Sequence, residues 1–155
     1  MGVLDKIISY VTGNSAKIDL FIPQASLNSP FRASIKAFIN DHDIEADYVY
    51  LNIQCMEAKK AYIPPKEGKL TDNEKMLSEL NEWNTKILFK KKIEVARHLL
   101  LKKGLEYSWD TTIDLSGAEK ASTHGETCKI IWKFQAAINM FGINPDSGWK
   151  TIEVS

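Results

Sequence analysis

The residues that could carry out chemistry in this chain are few, and they lie far apart in the sequence. The three histidines, His42, His98 and His124, fall in separate segments, and none has a second ligand at a spacing typical of metal sites. His42 has Asp41 and Asp43 beside it, but neighbours in a turn usually point apart. The pattern therefore predicts no metal site and no other cofactor.

Acid–base and nucleophilic catalysis find no better support. Glu45 and Asp47 stand two residues apart on a predicted strand, so their carboxylates would lie close together on one face. Exposed carboxylates of this kind more often contribute only solubility. The sequence also contains no nucleophile motif and no glycine-rich phosphate loop. We therefore expect that the protein is not an enzyme.

Aromatic and basic residues make a better case for a binding surface. Tyr48 and Tyr50 alternate with apolar residues, which places both on the outward face of a predicted strand, and aromatic side chains are enriched at interfaces. Lys90 and Lys92 belong to the densest basic run in the chain, which is also typical of a solvated edge strand. We predict a protein-binding surface formed by Tyr48, Tyr50, Lys90 and Lys92. The alternative for the two tyrosines is burial beneath a covering helix.

Strands of alternating polarity must position these residues. The clearest alternation runs from Cys128 to Met140, where one parity is apolar throughout and the other carries lysine, glutamine and asparagine. A period of two indicates a strand with one buried face. The apolar set is Ile130, Trp132, Phe134, Ala136, Ile138 and Met140. Further strands are predicted over 16–22, 31–39, 44–55, from 86 onward, 105–115 and 149–154.

One lysine interrupts the apolar face of the strand that begins near residue 86. Lys91 shares its parity with Ile87, Phe89, Ile93 and Val95. Two interpretations fit this pattern: a β-bulge shifts the register, or Lys91 lies at the rim of the sheet.

Two segments lack the alternation of polar and apolar residues, and their patterns predict helices. Residues 1–13 place apolar residues at helical spacing before Gly13, which predicts a short amphipathic helix packed on one end of the domain. A weaker alternative is peripheral membrane contact through residues 1–11. Residues 59–85 read as an insertion, in which a capping-box sequence at Thr71 precedes a helix of roughly 72–84.

Composition limits the class of protein. A chain of 155 residues, 44% of them hydrophobic, predicts a single domain over 14–155 following the helix of 1–13. Twenty basic and twenty acidic residues give a net charge of zero, which disfavours nucleic acid as a partner. Cys55 and Cys128 are too few for a disulfide framework, and we predict both to be small core residues in a reducing compartment. With no apolar segment of membrane-spanning length, the cytoplasm is the expected location.

These elements add up to an all-β architecture. Seven to eight strands joined by short polar connections predict an antiparallel, immunoglobulin-like β-sandwich with a short N-terminal helix and one inserted helix. Apart from the insertion, the connections are too short to hold the crossover helix that parallel strands would need.

The order of elements resembles the amino-terminal domain of arrestin-like proteins, and among these the bacterial sporulation-control family. The segments that carry the resemblance follow the predicted N-terminal helix in this order: Ala16-Lys17-Ile18-Asp19, Tyr48-Val49-Tyr50-Leu51, Ile131-Trp132-Lys133-Phe134, Ile143-Asn144-Pro145-Asp146 and Ile152-Glu153-Val154. The resemblance implies an arrestin-like sandwich that acts as a scaffold or adaptor for other proteins, without a cofactor and without catalysis. Members of the family usually continue into a second sandwich.

We expect a protein partner that binds to an exposed edge strand or to the solvated face of one sheet. An unpaired edge strand could also pair with a second copy, which would make a homo-oligomer. The alternative function is a carbohydrate-binding or other small-molecule-binding sandwich, for which exposed Trp83 and Trp149 would supply the contact surface.

Overall fold

Alternating polarity organises the chain into β-strands, as the sequence predicts. The computed structural model describes residues 14–60 and 83–155. Eight strands form within these residues, and they are named here in chain order. They are β1 Ala16–Phe21, β2 Phe31–Ile39, β3 Ile44–Lys60, β4 Trp83–Leu101, β5 Glu106–Ile113, β6 Thr123–His124, β7 Cys128–Asn139 and β8 Lys150–Thr151.

The strands form two antiparallel sheets. The smaller sheet has the order β1-β2-β5. The larger has the order β4-β3-β7-β6, and β8 also pairs with β7. Every strand pair in the described residues is antiparallel. The predicted all-β, antiparallel architecture of seven to eight strands is therefore confirmed.

The core lies between the two sheets and is filled from alternate positions of each strand. On β2, Ala33, Ile35, Ala37 and Ile39 are fully buried, while the residues between them face outward. On β7 the whole predicted apolar set is buried, with Trp132 and Phe134 at its centre. Phe134 meets the ring of Phe31 from the opposite sheet edge-on, with centroids 6.3 Å apart.

The C-terminal segment joins the two sheets along one side. The predicted strand over 149–154 is much shorter in the structure, because β8 pairs with β7 for two residues only. Beyond β8 the chain crosses to the connection between β1 and β2. The Lys150 ammonium donates to the Leu20 carbonyl (2.7 Å), and the Ser155 backbone N–H donates to the Ala25 carbonyl (3.2 Å). Leaving β7 early is what allows this segment to close the sandwich.

The central hairpin corrects the bounds of the predicted insertion. β3 continues to Lys60 and β4 begins at Trp83, because the antiparallel ladder runs on to the pair Lys60–Trp83. Residues 59–60 and 83–85 are therefore strand, and the prediction that the inserted helix reaches residue 84 was wrong at that end. The helix predicted over 1–13 and the rest of the inserted helix lie outside the described residues.

The register of β4 explains why Lys91 interrupts the apolar face of this strand. The ladder between β3 and β4 shifts at two places, which leave Leu88 and Val95 as extra residues on β4. Lys91 lies between the two shifts, in regular register with Ile53, and its ammonium donates to the Asp114 carbonyl across the gap between the sheets (2.8 Å). Lys91 thus lies at the sheet rim, which is the second of the two interpretations. The shift at Leu88 leaves Ile87 exposed, contrary to the predicted face.

The two cysteines differ in burial. Cys55 is buried among core residues of β3, as predicted, but Cys128 at the start of β7 is only half-buried. Neither forms a disulfide. Among residues 14–60 and 83–155, no helix has the length and apolar character needed to cross a membrane.

Two phenylalanines provide a matched test of this core. We expect Phe134→Ala to reduce the free energy of unfolding by about 3–5 kcal/mol, because it leaves a large cavity between the sheets. Phe21→Ala, at a side chain that is 64% exposed, is expected to change it by less than about 0.5 kcal/mol. Urea denaturation followed by tryptophan fluorescence measures both values. Equal losses in the two variants would contradict this assignment of the core.

Candidate functional site

The predicted surface residues meet on the outer face of the larger sheet. Along the middle of β3 the odd-numbered side chains enter the core, so Tyr48 and Tyr50 lie on the opposite face. On β4, Lys90 and Lys92 share that face, because they pair with Gln54 and Asn52 of β3. The structure therefore brings the four residues to one surface, here called the tyrosine–lysine face.

Lys92 holds the two tyrosines together. Its ammonium lies 4.7 Å from the ring centroid of Tyr48 and 4.5 Å from that of Tyr50. The rings themselves meet edge-to-face at 5.4 Å. The ammonium also donates a hydrogen bond to the Tyr48 hydroxyl (2.8 Å), and this bond raises the pKa of Lys92 above its usual range. Lys92 is consequently charged throughout the physiological pH range.

Amide side chains from β7 and the turn after it fix the tyrosine hydroxyls. Asn139 donates to the Tyr48 oxygen (3.0 Å), and Asn144 donates to the Tyr50 oxygen (3.1 Å). The Tyr48 oxygen thus accepts two hydrogen bonds, so its own hydrogen remains to be donated. Tyr50 is only 9% exposed, so Tyr48 contributes more of the accessible aromatic surface on this face. Polar side chains of the same sheet border the rings on this face.

A second cation flanks the face but is already bound. The Arg97 guanidinium lies 5.9 Å from the ring of Tyr48 and donates two hydrogen bonds to Glu94, at 2.6 and 2.9 Å. These bonds lower the pKa of Glu94. The carboxylate of Glu94 therefore holds Arg97 by hydrogen bonds and acts on Lys92 only through their charges.

A shallow depression of about 450 Å³ adjoins the tyrosine–lysine face. Two amides of β3, Asn52 and Gln54, lie at its floor, and Lys90 and Lys92 line one wall. Trp149, which is 42% exposed, lines it as well. The depression thus combines hydrogen-bonding amides, two cations and one indole ring.

Sequence reasoning missed several residues of this site. Asn139 shares the outward parity of β7, so its position beside the tyrosines could have been inferred from strand order. Arg97 could not, because alternation is disturbed near His98, whose φ of 53° is unusual for a residue with a side chain. Asn144 lies in the turn after β7, and its position depends on the folded path of that turn.

The other predicted chemical groups remain apart. His42 is buried in the turn between β2 and β3, while His98 and His124 lie on β4 and β6. In the described ranges no three histidine, cysteine or carboxylate side chains come together as metal ligands. Glu45 and Asp47 line a separate depression together with Leu100.

A further cavity of about 380 Å³ opens between the sheets near the start of the loop that follows β5. Cys55, Phe89 and Trp132 form its apolar wall, and residues 117–120 of the loop form the other. The Trp132 indole donates to the Lys120 carbonyl (2.9 Å), which fixes the loop over the cavity. Burial raises the pKa of the Cys55 thiol to about 11.

Tyr48 and Tyr50 allow a matched test of the Lys92 geometry. We expect Tyr48→Phe to lower the pKa of Lys92, because the variant removes the acceptor of its hydrogen bond. Tyr50→Phe should leave the pKa closer to the wild-type value, since its hydroxyl accepts from Asn144 instead. NMR titration of the lysine side chains measures both. Identical titration curves for the two variants would rule out the proposed hydrogen bond.

The cysteines offer a second comparison. At pH 8 we expect a thiol-alkylating reagent to modify Cys128 at least about tenfold faster than Cys55, because Cys55 is buried and its thiolate is disfavoured. Mass spectrometry of proteolytic fragments at several reaction times gives both rates. In denaturant the difference should disappear, and its persistence there would contradict burial as the cause.

Comparison with known proteins identifies the fold. The structure is similar to the crystal structure of the sporulation control protein Spo0M from Bacillus subtilis, with a TM-score of 0.60 and 11% sequence identity. The match covers 91% of this chain and 49% of the Spo0M chain, so the chain spans about half the length of that protein. No protein-family profile and no curated protein sequence matches the chain. The predicted resemblance to the sporulation-control family is therefore confirmed at the level of the fold.

Proposed function

We propose that the chain is a non-catalytic protein-binding module, acting as a scaffold or adaptor in the cytoplasm, and that its tyrosine–lysine face binds a carboxylate-bearing segment of a partner. The observation that carries this proposal is the position of Lys92 over two tyrosine rings, one of whose hydroxyls accepts its hydrogen bond. Such a cation is already ordered before a partner arrives.

Order in the free protein favours binding because less conformational entropy is lost on association. A lysine on a bare surface must give up much rotamer freedom when it binds. Lys92 is held by one hydrogen bond and two cation–π contacts, and its ammonium retains two further N–H donors. The remaining hydroxyl hydrogen of Tyr48 adds a neutral donor beside it.

The local charge selects an acceptor-rich partner. Glu94, the nearest carboxylate on β4, is bound by Arg97, while Lys90 and Lys92 point the same way from adjacent outward positions. Since the chain as a whole has no net charge, this attraction acts at short range. Carboxylates of aspartate and glutamate side chains match the donors that this face presents.

The fold supports the same class of function. Spo0M, whose fold is similar, is described as a sporulation control protein, which is a regulatory role. The two unpaired cysteines suit the reducing cytoplasm.

Paired lysine substitutions on opposite sheets test this function. The wild-type chain, immobilised, is used to capture partners from an extract of the native cell, and affinities for the captured protein are then measured by calorimetry. We expect Lys90→Ala combined with Lys92→Ala to weaken binding by about tenfold or more, since both ammonium donors are lost.

The control removes the same charge from the other outer face. Lys17→Ala combined with Lys36→Ala, on β1 and β2, should leave the affinity within about twofold of wild type. Equal weakening by both pairs would indicate unspecific charge attraction, and no weakening by the first pair would place the partner elsewhere. Either result refutes the proposed surface.

The depression beside this face supports a second candidate function, the binding of a carbohydrate or another small polar molecule. Exposed Trp149 next to Asn52 and Gln54 offers a flat apolar ring and amide groups within one concavity. Added oligosaccharide would then protect the fluorescence of Trp149 from a soluble quencher. A Trp149→Phe variant provides the control, since the protected component of the signal should vanish with it.

A further inference from the structure

The smaller sheet ends in an edge strand with a free side. β5 pairs with β2 through eight consecutive residue pairs, without a register shift. Among the described residues, no strand pairs with its other side. The nearest strand there is β4, which is itself the edge of the opposite sheet. This flank of the sandwich therefore has two unpaired edges that face each other.

The direction of the free backbone groups on β5 follows from one hydrogen bond. The Ile39 N–H donates to the Leu105 carbonyl (3.1 Å), so residue 105 points its backbone toward β2. Because the bonds alternate along an antiparallel strand, the odd-numbered residues of β5 also bond β2. The N–H and C=O groups of Glu106, Ser108, Asp110 and Thr112 then point toward the free side.

The apolar inner-face side chains along the two edges are only partly covered, and the strip that they line is called the cleft here. Six inner-face side chains of β4 and β5 pack against the core but remain only half-buried: Phe89, Ile93, Val95, Leu99, Tyr107 and Trp109. On the opposite flank the C-terminal segment joins the sheets, whereas here the ends alone are bridged. Lys91 reaches the Asp114 carbonyl at one end, and the Tyr107 hydroxyl accepts from the Lys102 N–H at the other (2.9 Å).

The shape and lining of the cleft suit one more strand. The rings of Tyr107 and Trp109 stack at 6.1 Å with an interplanar angle of 11°, which gives the β5 side a flat apolar wall. From Tyr107 to Thr111 the half-buried inner-face positions of β5 extend about 14 Å at roughly 3.4 Å per residue. A strand added to β5 would bury every second side chain against this wall and against the half-buried residues of β4.

The charges on the outer face of β5 favour basic residues on an incoming strand. Its only ionisable side chains are Glu106 and Asp110, four residues apart. From β2, Lys36 and Arg32 approach them at 3.9 and 3.5 Å, and all four side chains remain largely exposed. An incoming strand would lie on the other side of these carboxylates. Basic residues at a spacing of four would meet both of them.

We propose that an extended segment of a partner protein, apolar at alternate positions and basic at intervening positions four residues apart, adds to β5 as a fourth strand of the smaller sheet. The main-chain bonds to the free side of β5 supply affinity, and the cleft and the two carboxylates supply selectivity. This surface is separate from the tyrosine–lysine face, which lies on the outer side of the other sheet.

Charge disfavours the pairing of β5 with β5 of a second copy of the chain. Pairing of β5 with β5 of another copy would place Glu106 and Asp110 near the same carboxylates, without any cation from the two strands. Pairing of β4 with β5 of another copy would be head-to-tail and open-ended, so it would produce growth of large assemblies with concentration.

The experiment uses the full chain and a synthetic nine-residue peptide, with valine at even positions, lysine at positions one, five and nine, and serine at three and seven. We expect one-to-one binding by calorimetry with a Kd below about 1 mM. Ser108→Pro removes a backbone N–H on the free side of β5 without removing one that bonds β2, a location where proline is tolerated. It should weaken binding by about tenfold or more, while the matched variant Ser108→Ala should bind like wild type.

A control peptide and a control variant separate binding to β5 from unspecific attraction and from binding to the tyrosine–lysine face. A peptide with glutamate in place of lysine should bind at least about tenfold more weakly, and the Lys90→Ala, Lys92→Ala variant should bind the lysine peptide normally, which keeps this test independent of the tyrosine–lysine face.

Thermal unfolding verifies that Ser108→Pro is folded; if it is not, Thr112→Pro replaces it. Absence of peptide binding, or equal binding by Ser108→Pro and Ser108→Ala, overturns the proposal. Concentration-dependent assembly by light scattering that Ser108→Pro abolishes would assign β5 to a second copy and overturn it as well.

Discussion

The pairing of β3 with both β4 and β7 is the interaction on which the rest of the molecule depends. β3 lies inside the larger sheet, so its backbone bonds hold the sheet together on two sides. One of its faces carries Val49, Leu51 and Ile53 into the core, and the other carries Tyr48 and Tyr50 to the surface. Because side chains alternate strictly, a slip of one residue would exchange these sets and lose the core and the tyrosine–lysine face together.

The tyrosine–lysine face holds the Lys92 ammonium in a fixed position, although the chain as a whole has no net charge. Lys92 and Arg97 lie on the same side of β4 near the same tyrosine, but only Arg97 has a carboxylate bound to it. The aromatic rings stabilise the Lys92 ammonium through their faces, so no acidic residue is needed to hold it. The Lys92 ammonium keeps two N–H donors available to an incoming group.

Much of this arrangement could be predicted from alternation alone. The buried sets of β2 and β7 follow directly from period two, and the outward direction of Tyr48, Lys90 and Lys92 follows from the same rule. What alternation could not predict is any position that depends on contacts between distant segments. The burial of Tyr50 depends on its surroundings in the folded sheet, including Asn144 from a turn, and the shortness of β8 depends on the path of the chain to the opposite sheet.

Errors near β4 have a different physical origin. A helix was predicted to reach residue 84 because Trp83 follows Leu80 at helical spacing, but cross-strand pairing with Lys60 extends the strand to Trp83. At Trp83 the pairing between distant strands overrides the local helix propensity. The two register shifts likewise leave no mark in the sequence, since an extra residue in a strand looks like any other residue until its partner strand is known.

The register shifts in β4 also give the two edge strands of the sandwich opposite characters. Among the described strands, β4 is long and has a neighbour on one side only, but its extra residues at Leu88 and Val95 break the even row of backbone groups, and its lysines repel a similar edge. β5 has a regular ladder and no such interruption. The molecule therefore protects its longer edge against sheet-to-sheet aggregation and leaves its shorter edge regular, so a deletion of Leu88 or Val95 that removed a bulge from β4 would expose the protein to fibrillar self-association.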